Sequence, residues 1–231
     1  MKFFNLYSLI LLNIFSLNLF ATDVLKKPKI AIISLYNDGY KHIGQYGDAN
    51  KEKYAKKHGY DIIIYHDLLD TVRPAPWSKI KAIQNHLADY DWVYWSDADS
   101  LIMNTDIKLE SFIEDNVDLV ISKECFYEYL NTGSFLIKNT EWSHELLRRI
   151  YALEPYTQFQ FWEQCALKHL LEIDASLWSH LKVVHQRVLN SNLDFTPRLD
   201  GWYQEGDFVI HFFGTCDKPR LMREWSEKVV Y

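Results

Sequence analysis

The chain is short of the residues that build stapled or fibrous proteins. Its 231 residues include three Cys, six Pro and eight Gly. Cys125, Cys165 and Cys216 are widely spaced, form no CxxC or Cys/His metal spacing, and are odd in number. At least one thiol is therefore unpaired, and isolated buried thiols are the expected state. Gly and Pro are too sparse for a collagen-like or low-complexity chain, and no internal repeat or Ser/Gly linker interrupts the sequence. Positive charge is in deficit: 25 Lys+Arg stand against 31 Asp+Glu, a net charge of −6. A general nucleic-acid binder needs a basic face to replace phosphate counterions, so no nucleic-acid partner is expected. GxSxG, HExxH, P-loop and GxGxxG motifs are all missing, which leaves the enzyme classes built on them without support.

What is present is an ordinary globular composition, 48% hydrophobic and 24% charged, at a length that suits one domain with a substantial core. Aromatics make up 16%, with eight Trp, fifteen Tyr and thirteen Phe. Trp and Tyr suit a cleft that meets sugar rings, whose apolar faces stack on aromatic planes while hydroxyls seek polar tips. Phe3 to Ala21 is an uncharged apolar run preceded by Lys2 and followed by Asp23, Lys26 and Lys27. Residues 1–22 therefore read as a signal peptide or an N-terminal membrane anchor, and the rest as membrane-associated or in the secretory pathway. Only about seven residues separate Ala21 from the first expected strand.

From Lys29 the chain alternates in type. Lys29–Leu35, Asp61–Tyr65 and Trp92–Trp95 read as strands, and Tyr46–His58 (stopped by Gly59) and Trp77–Ala88 as helices. That order implies parallel βαβ units and an α/β sheet over residues 28–231. Further on, Leu119–Ser122 reads as a strand, Asn131–Thr132–Gly133 as a turn, Ser134–Lys138 as a strand, and Trp142–Leu153 and Phe161–Leu171 as helices.

The strongest chemical feature is Trp95–Ser96–Asp97–Ala98–Asp99. Two carboxylates two residues apart leave the sheet at its C-terminal edge, where ligands of open α/β sheets bind. If the chain turns there, both can face one hard cation, which prefers oxygen ligands and would offset a diphosphate's charge. A solvated acidic loop is the plainer reading. A metal-dependent phosphohydrolase also uses paired aspartates, but such enzymes of the haloacid-dehalogenase type place them after the first strand, and here they follow the third. Downstream, Asp207–Gly214 holds a β-run that ends in His211 and is followed three residues later by Gly214. His211 offers an imidazole ligand, Gly214 allows backbone to approach a phosphate, and Lys218 offers a point charge for it. A hydrogen-bonded core histidine is the alternative for His211.

Five stretches occur in an order that resembles glycosyltransferase family 34, which includes fungal Golgi galactosyl- and mannosyltransferases and plant xyloglucan xylosyltransferases. They are Pro76–Ile80, Val93–Ser100 (VYWSDADS), Leu130–Lys138 (LNTGSFLIK) with the following Asn139 to Ser143, Glu163–Leu167 and His211–Gly214. The similarity implies a GT-A fold, a mixed, mostly parallel sheet flanked by helices. It implies Mn²⁺ (or Mg²⁺) on Asp97, Asp99 and His211, a UDP- or GDP-sugar donor, and transfer of a hexose or pentose to a glycan with retention. By the same resemblance Ser34, Leu35 and Tyr36 would hold the base and ribose, and Lys79, Ser96 and Ala98 would lie by the diphosphate and sugar. Asn131, Thr132 and Gly133 would floor the meeting point of donor and acceptor, and Glu163 and Gln164 would bind the transferred sugar. The family often has Cys directly after HxxG, whereas Thr215 here precedes Cys216. A carbohydrate-binding protein of the same fold without turnover is the alternative.

Overall fold

The structure is a computed structural model that describes residues 27–125, 129–193 and 200–231. The signal or anchor expected over residues 1–22 lies outside the described residues. Among the described residues no helix is long and apolar enough to cross a membrane.

The first half folds as its alternation dictates. Strands β1 (Ile30–Leu35), β2 (Asp61–Tyr65) and β3 (Trp92–Ser96) run parallel with β1 in the middle. Helices α1 (Lys41–His58) and α2 (Ser78–His86) make the crossovers. α1 stops at Gly59, whose φ of 72° suits glycine far better than a residue with a Cβ. After β3 come β4 (Ser100–Ile102), β5 (Leu119–Lys123), β6 (Leu130–Lys138) and helices α3 (Glu141–Ala152) and α4 (Trp162–Ile173). They are followed by β7 (Leu181–His185), α5 (Gln186–Leu189), β8 (Ser191–Asn192), β9 (Val209–His211) and α6 (Lys218–Ser226).

The large sheet has the order β2-β1-β3-β6-β5-β7, in which β6 alone runs antiparallel to its neighbours, so the sheet is mixed and mostly parallel. A smaller sheet, β4-β9-β8, sits beside it. Both faces of the large sheet are covered, which is why its strands are near-continuous apolar runs. Ala31, Ile33, Val93 and Trp95 pack under α2, α3 and α4 with Ile83, Leu146 and Leu167. Their neighbours Ile30, Ile32, Trp92 and Tyr94 face the other way, onto Tyr54, Tyr60 and Phe208. A third cluster, including Ile43, Leu101, Ile210, Phe212 and Leu221, clamps the small sheet between α1 and α6.

One expectation needs correction. Asn131–Thr132–Gly133 is not a turn; it lies inside β6, with Asn131 paired to Ser122 of β5. The pairing register shifts between Ile121 and Ser122, and within that irregularity Asn131 Oδ1 accepts the Gly133 N–H at 2.8 Å. The local side-chain hydrogen bond that marks an Asn-containing turn is made, but in a bulged strand. The three thiols are free, and of them only Cys165 is buried.

Candidate active site

β3 ends at Ser96 and β4 starts at Ser100, so Asp97, Ala98 and Asp99 form the link between the two sheets. The Asp97 N–H donates to Gly133 O at 2.8 Å, and Ser100 Oγ donates to Asp97 O at 2.7 Å, which closes the turn. Antiparallel pairing of β4 with β9 then sets His211 opposite Ser100. Asp97, Asp99 and His211 consequently offer ligand atoms that all lie within 4.8 Å of one another.

The donor set fits a divalent cation. His211 Nδ1 faces Asn190 Oδ1 at 2.7 Å, an acceptor that keeps the ring proton on Nδ1. Its Nε2 faces Asp99 Oδ1 at 3.2 Å and Asp97 Oδ2 at 3.7 Å. Two carboxylates and one imidazole nitrogen converging in this way suit Mn²⁺ or Mg²⁺ between them. Lys218 Nζ lies 2.5 Å from Asp99 Oδ2, and Tyr40 donates its hydroxyl to the same oxygen at 3.1 Å. Burial favours the neutral form of Asp99, but His211 and Lys218 outweigh it and hold the carboxyl far below its ordinary range. Replacing Asn190 with Ala removes the group that orients His211. Mn²⁺ affinity is expected to fall about 10- to 100-fold, measured by titration of the full chain.

A second network adjoins the first. Buried Lys79, from α2, donates to Glu163 Oε1 at 2.9 Å and to Thr132 O at 2.8 Å, and lies 3.2 Å from Asp97 Oδ1. Burial alone would depress its pKa, yet Asp97 and Glu163 outweigh it and hold the ammonium above its ordinary value. Burial pushes the Glu163 carboxyl up, with Lys79 offsetting part of the rise. Glu163 Oε1 also accepts Thr132 Oγ1 at 3.0 Å, whereas the buried Oε2 has no partner among the described residues. The Thr132 N–H donates to Gln164 Oε1 at 3.1 Å.

These groups line one cleft of about 660 Å³, which holds Lys79, Asp97, Asp99, Asn131, Thr132, Gly133, Glu163, Gln164, His211, Gly214 and Lys218. The other expected residues do not line it. Ser34 is fully buried in β1 with its Oγ unpartnered among the described residues, Leu35 is half-buried, and Tyr36 is buried with its hydroxyl on the Asp48 carboxylate. Ser96 and Ala98 are buried in the turn itself.

Gly133 is where the two networks touch. A Cβ there would stand 2.2 Å from His211 Cε1 and 2.6 Å from its Nδ1. Gly133→Ala is expected to displace the imidazole, lower stability by about 1–3 kcal/mol and weaken Mn²⁺ binding, read by thermal melts and metal titration.

Sequence reasoning missed several residues. Asn190 and Tyr40 act through contacts between segments far apart in the chain. Lys51 of α1 is fully buried behind the turn, donating to Ser100 O at 3.0 Å, and burial pulls its pKa down to about 8 against Asp48, Asp99 and Asp97. Glu124, the first residue after β5, also lines the cleft; an acid at a strand's C-terminal exit was the one available signal.

The chain is similar to known glycosyltransferases. The chain is 27% identical over 216 residues to an uncharacterized alpha-1,2-galactosyltransferase of Schizosaccharomyces pombe, over 71% of this chain and 54% of the relative. It is 27% identical over 231 residues to a probable alpha-1,6-mannosyltransferase, MNN10, of Saccharomyces cerevisiae, over 79% of this chain and 57% of the relative. The chain thus spans about half the length of these two relatives. A solved glycosyltransferase involved in glycosylation of the major capsid of PBCV-1 superposes with a TM-score of 0.70 at 20% identity, covering 85% of this chain and 100% of that one. That likeness shows the GT-A fold. The model of the galactosyl transferase GMA12/MNN10 family matches residues 34–127 and 113–220, and the chain belongs to that family, glycosyltransferase family 34.

Proposed function

We propose that residues 28–231 form one GT-A unit, a metal-dependent, retaining glycosyltransferase that moves a hexose or pentose from a UDP- or GDP-sugar to a glycan acceptor. The observation that carries this reading is the meeting of the Asp97–Asp99–His211 triad with the Lys79–Glu163–Thr132 network in one cleft. Hexosyl transfer is supported by the relatives, which are named for galactosyl and mannosyl transfer.

Mn²⁺ or Mg²⁺ held by Asp97, Asp99 and His211 would supply charge neutralisation for a diphosphate leaving group. Lys218 adds a positive charge for the same phosphates, and Gly214, at φ 66°, lets backbone approach them. Ser34, Leu35 and Tyr36 at the exit of β1, with Ser96 and Ala98, would support the nucleoside end from behind the cleft wall rather than line it. Asn131, Thr132 and Gly133 form the floor. Gln164 orients the transferred sugar, and Glu163, held in place by Lys79, presents negative charge to the electron-poor anomeric carbon. The acceptor hydroxyl attacks on the face that the diphosphate leaves, and its proton passes to the departing phosphate oxygen. A double displacement through Glu163 is the variant of this mechanism. The apolar run Phe3–Ala21 would bring the unit to a membrane or the secretory pathway, Golgi-like in a eukaryotic cell.

The reading is tested with UDP-galactose, GDP-mannose and UDP-xylose, each offered with oligosaccharide acceptors and Mn²⁺, and the anomeric coupling of the product followed by NMR. Product of retained configuration is expected from at least one donor. Inverted product would overturn retention, and no product from any donor would overturn the enzyme.

A further inference from the structure

The cleft carries a second set of groups that no step above uses. Glu124 is 6% exposed and lines the cleft. Its Oε1 accepts Asn131 Nδ2 at 2.5 Å and Gln164 Nε2 at 3.4 Å. Its Oε2 takes no hydrogen bond among the described residues and, unlike Glu163 Oε2, is not sealed from solvent. A carboxylate with one oxygen fixed and the other open is a ready acceptor for a ligand hydroxyl.

Two indoles reach the same cleft from segments tied to Glu124. Gln164, which donates to Glu124, leads back to Trp162 at the start of α4. Phe161 and Trp162 have φ of 64° and 43°, consecutive left-handed positions that bulky residues rarely adopt. Trp162 nevertheless stays 37% exposed on the cleft, so core packing does not explain the backbone it requires. The neighbour of Glu124, Cys125, donates its N–H to Gln186 Oε1 at 2.7 Å. The Gln186 amide in turn packs where a Cβ on Gly201 would come within 2.5 Å, which seats half-buried Trp202 on the cleft.

We propose that Glu124, Trp162 and Trp202 form the acceptor subsite, and that it takes a neutral pyranose ring. The apolar face of the ring lies on indole, and a ring hydroxyl donates to Glu124 Oε2. A negatively charged sugar is rejected by the same carboxylate. This assignment rests on the transferase reading of the cleft. Gln164 joins the two halves, since its Oε1 accepts the Thr132 N–H of the transfer corner while its Nε2 donates to Glu124.

The test titrates the full chain with methyl α-mannopyranoside, methyl β-galactopyranoside, cellobiose and a methyl glucuronide, following tryptophan fluorescence and saturation-transfer NMR. At least one neutral sugar is expected to bind, and the glucuronide to bind at least about tenfold more weakly. Trp162→Ala should weaken binding about tenfold, Trp162→Phe should restore it to within about threefold, and Glu124→Gln should weaken it about five- to tenfold. Phe retains a stacking face, so this rescue separates stacking from a purely structural role. The assignment is overturned if no neutral sugar binds, if the Ala and Gln variants bind as wild type does, or if the glucuronide binds equally well. Donor hydrolysis is measured on the unaltered chain alone. Its absence would count against the transferase reading while sugar binding still stood, and hydrolysis without any sugar effect in the variants would count against the subsite only.

Discussion

Asp99→Asn is expected to reduce metal-dependent turnover of the sugar nucleotide by about 10³-fold or more. The substitution preserves shape and removes one charge from a triad of only three ligands. Asp99 is also the common partner of His211 at 3.2 Å, Lys218 at 2.5 Å and Tyr40 at 3.1 Å, so an amide leaves two cationic or proton-bearing neighbours without their counter-charge. Loss of the carboxylate should therefore appear twice, as weaker Mn²⁺ binding in a titration and as lost nucleoside diphosphate release in a turnover assay. Turnover equal to that of the unaltered chain would remove Asp99 from the metal site.

Lys79→Met is expected to damage both fold and turnover. Lys79 is a buried cation between two acids, Glu163 at 2.9 Å and Asp97 at 3.2 Å. Removing one partner of a buried ion pair typically costs about 3–5 kcal/mol, because the other charge stays desolvated. For a chain of this size that corresponds to a fall in Tm of about 10 °C. Glu163 is 3% exposed, and burial already pushes its carboxyl above the ordinary range with Lys79 in place. Without Lys79 the folded state would hold the proton still more tightly than the unfolded chain does. An acid whose folded pKa is raised stabilises the fold at low pH, and that contribution falls as pH rises through its unfolded value. The variant's deficit should consequently be larger at pH 8 than at pH 5, read by thermal melts at both. A deficit independent of pH would assign the loss to packing of the lysine stem instead.

Much of the fold was legible because the alternation from Ile30 to Ser96 is controlled by local pattern. Branched or aromatic strands of five or six residues, a left-handed Gly59 and the prolines before Trp77 mark those elements without help from elsewhere. The clustering of Asp97, Asp99 and His211 was legible for a similar reason, since Asp97 and Asp99 leave a strand and His211 ends one. The turn expected at Asn131–Gly133 failed because strand pairing with Ser122 and Lys123 overrides the preference of Asn and Gly for turns. The helix α6, the strands β4 and β8 of the small sheet and the edge strand β7 were too short or too polar to stand out. Glu124, Asn190 and Lys51 carry no motif at all. Their roles arise from contacts such as Lys51 to Ser100 and Asn190 to His211, which exist only once the small sheet has docked on α1.

The most direct measurement is release of nucleoside diphosphate by the full chain from UDP-galactose, GDP-mannose and UDP-xylose, with Mn²⁺ and again after removal of metal by EDTA. Release from at least one donor, abolished by EDTA and restored by Mn²⁺, is the predicted result. No release from any of the three, or release that EDTA leaves unchanged, would contradict a metal-dependent transferase built on Asp97, Asp99 and His211.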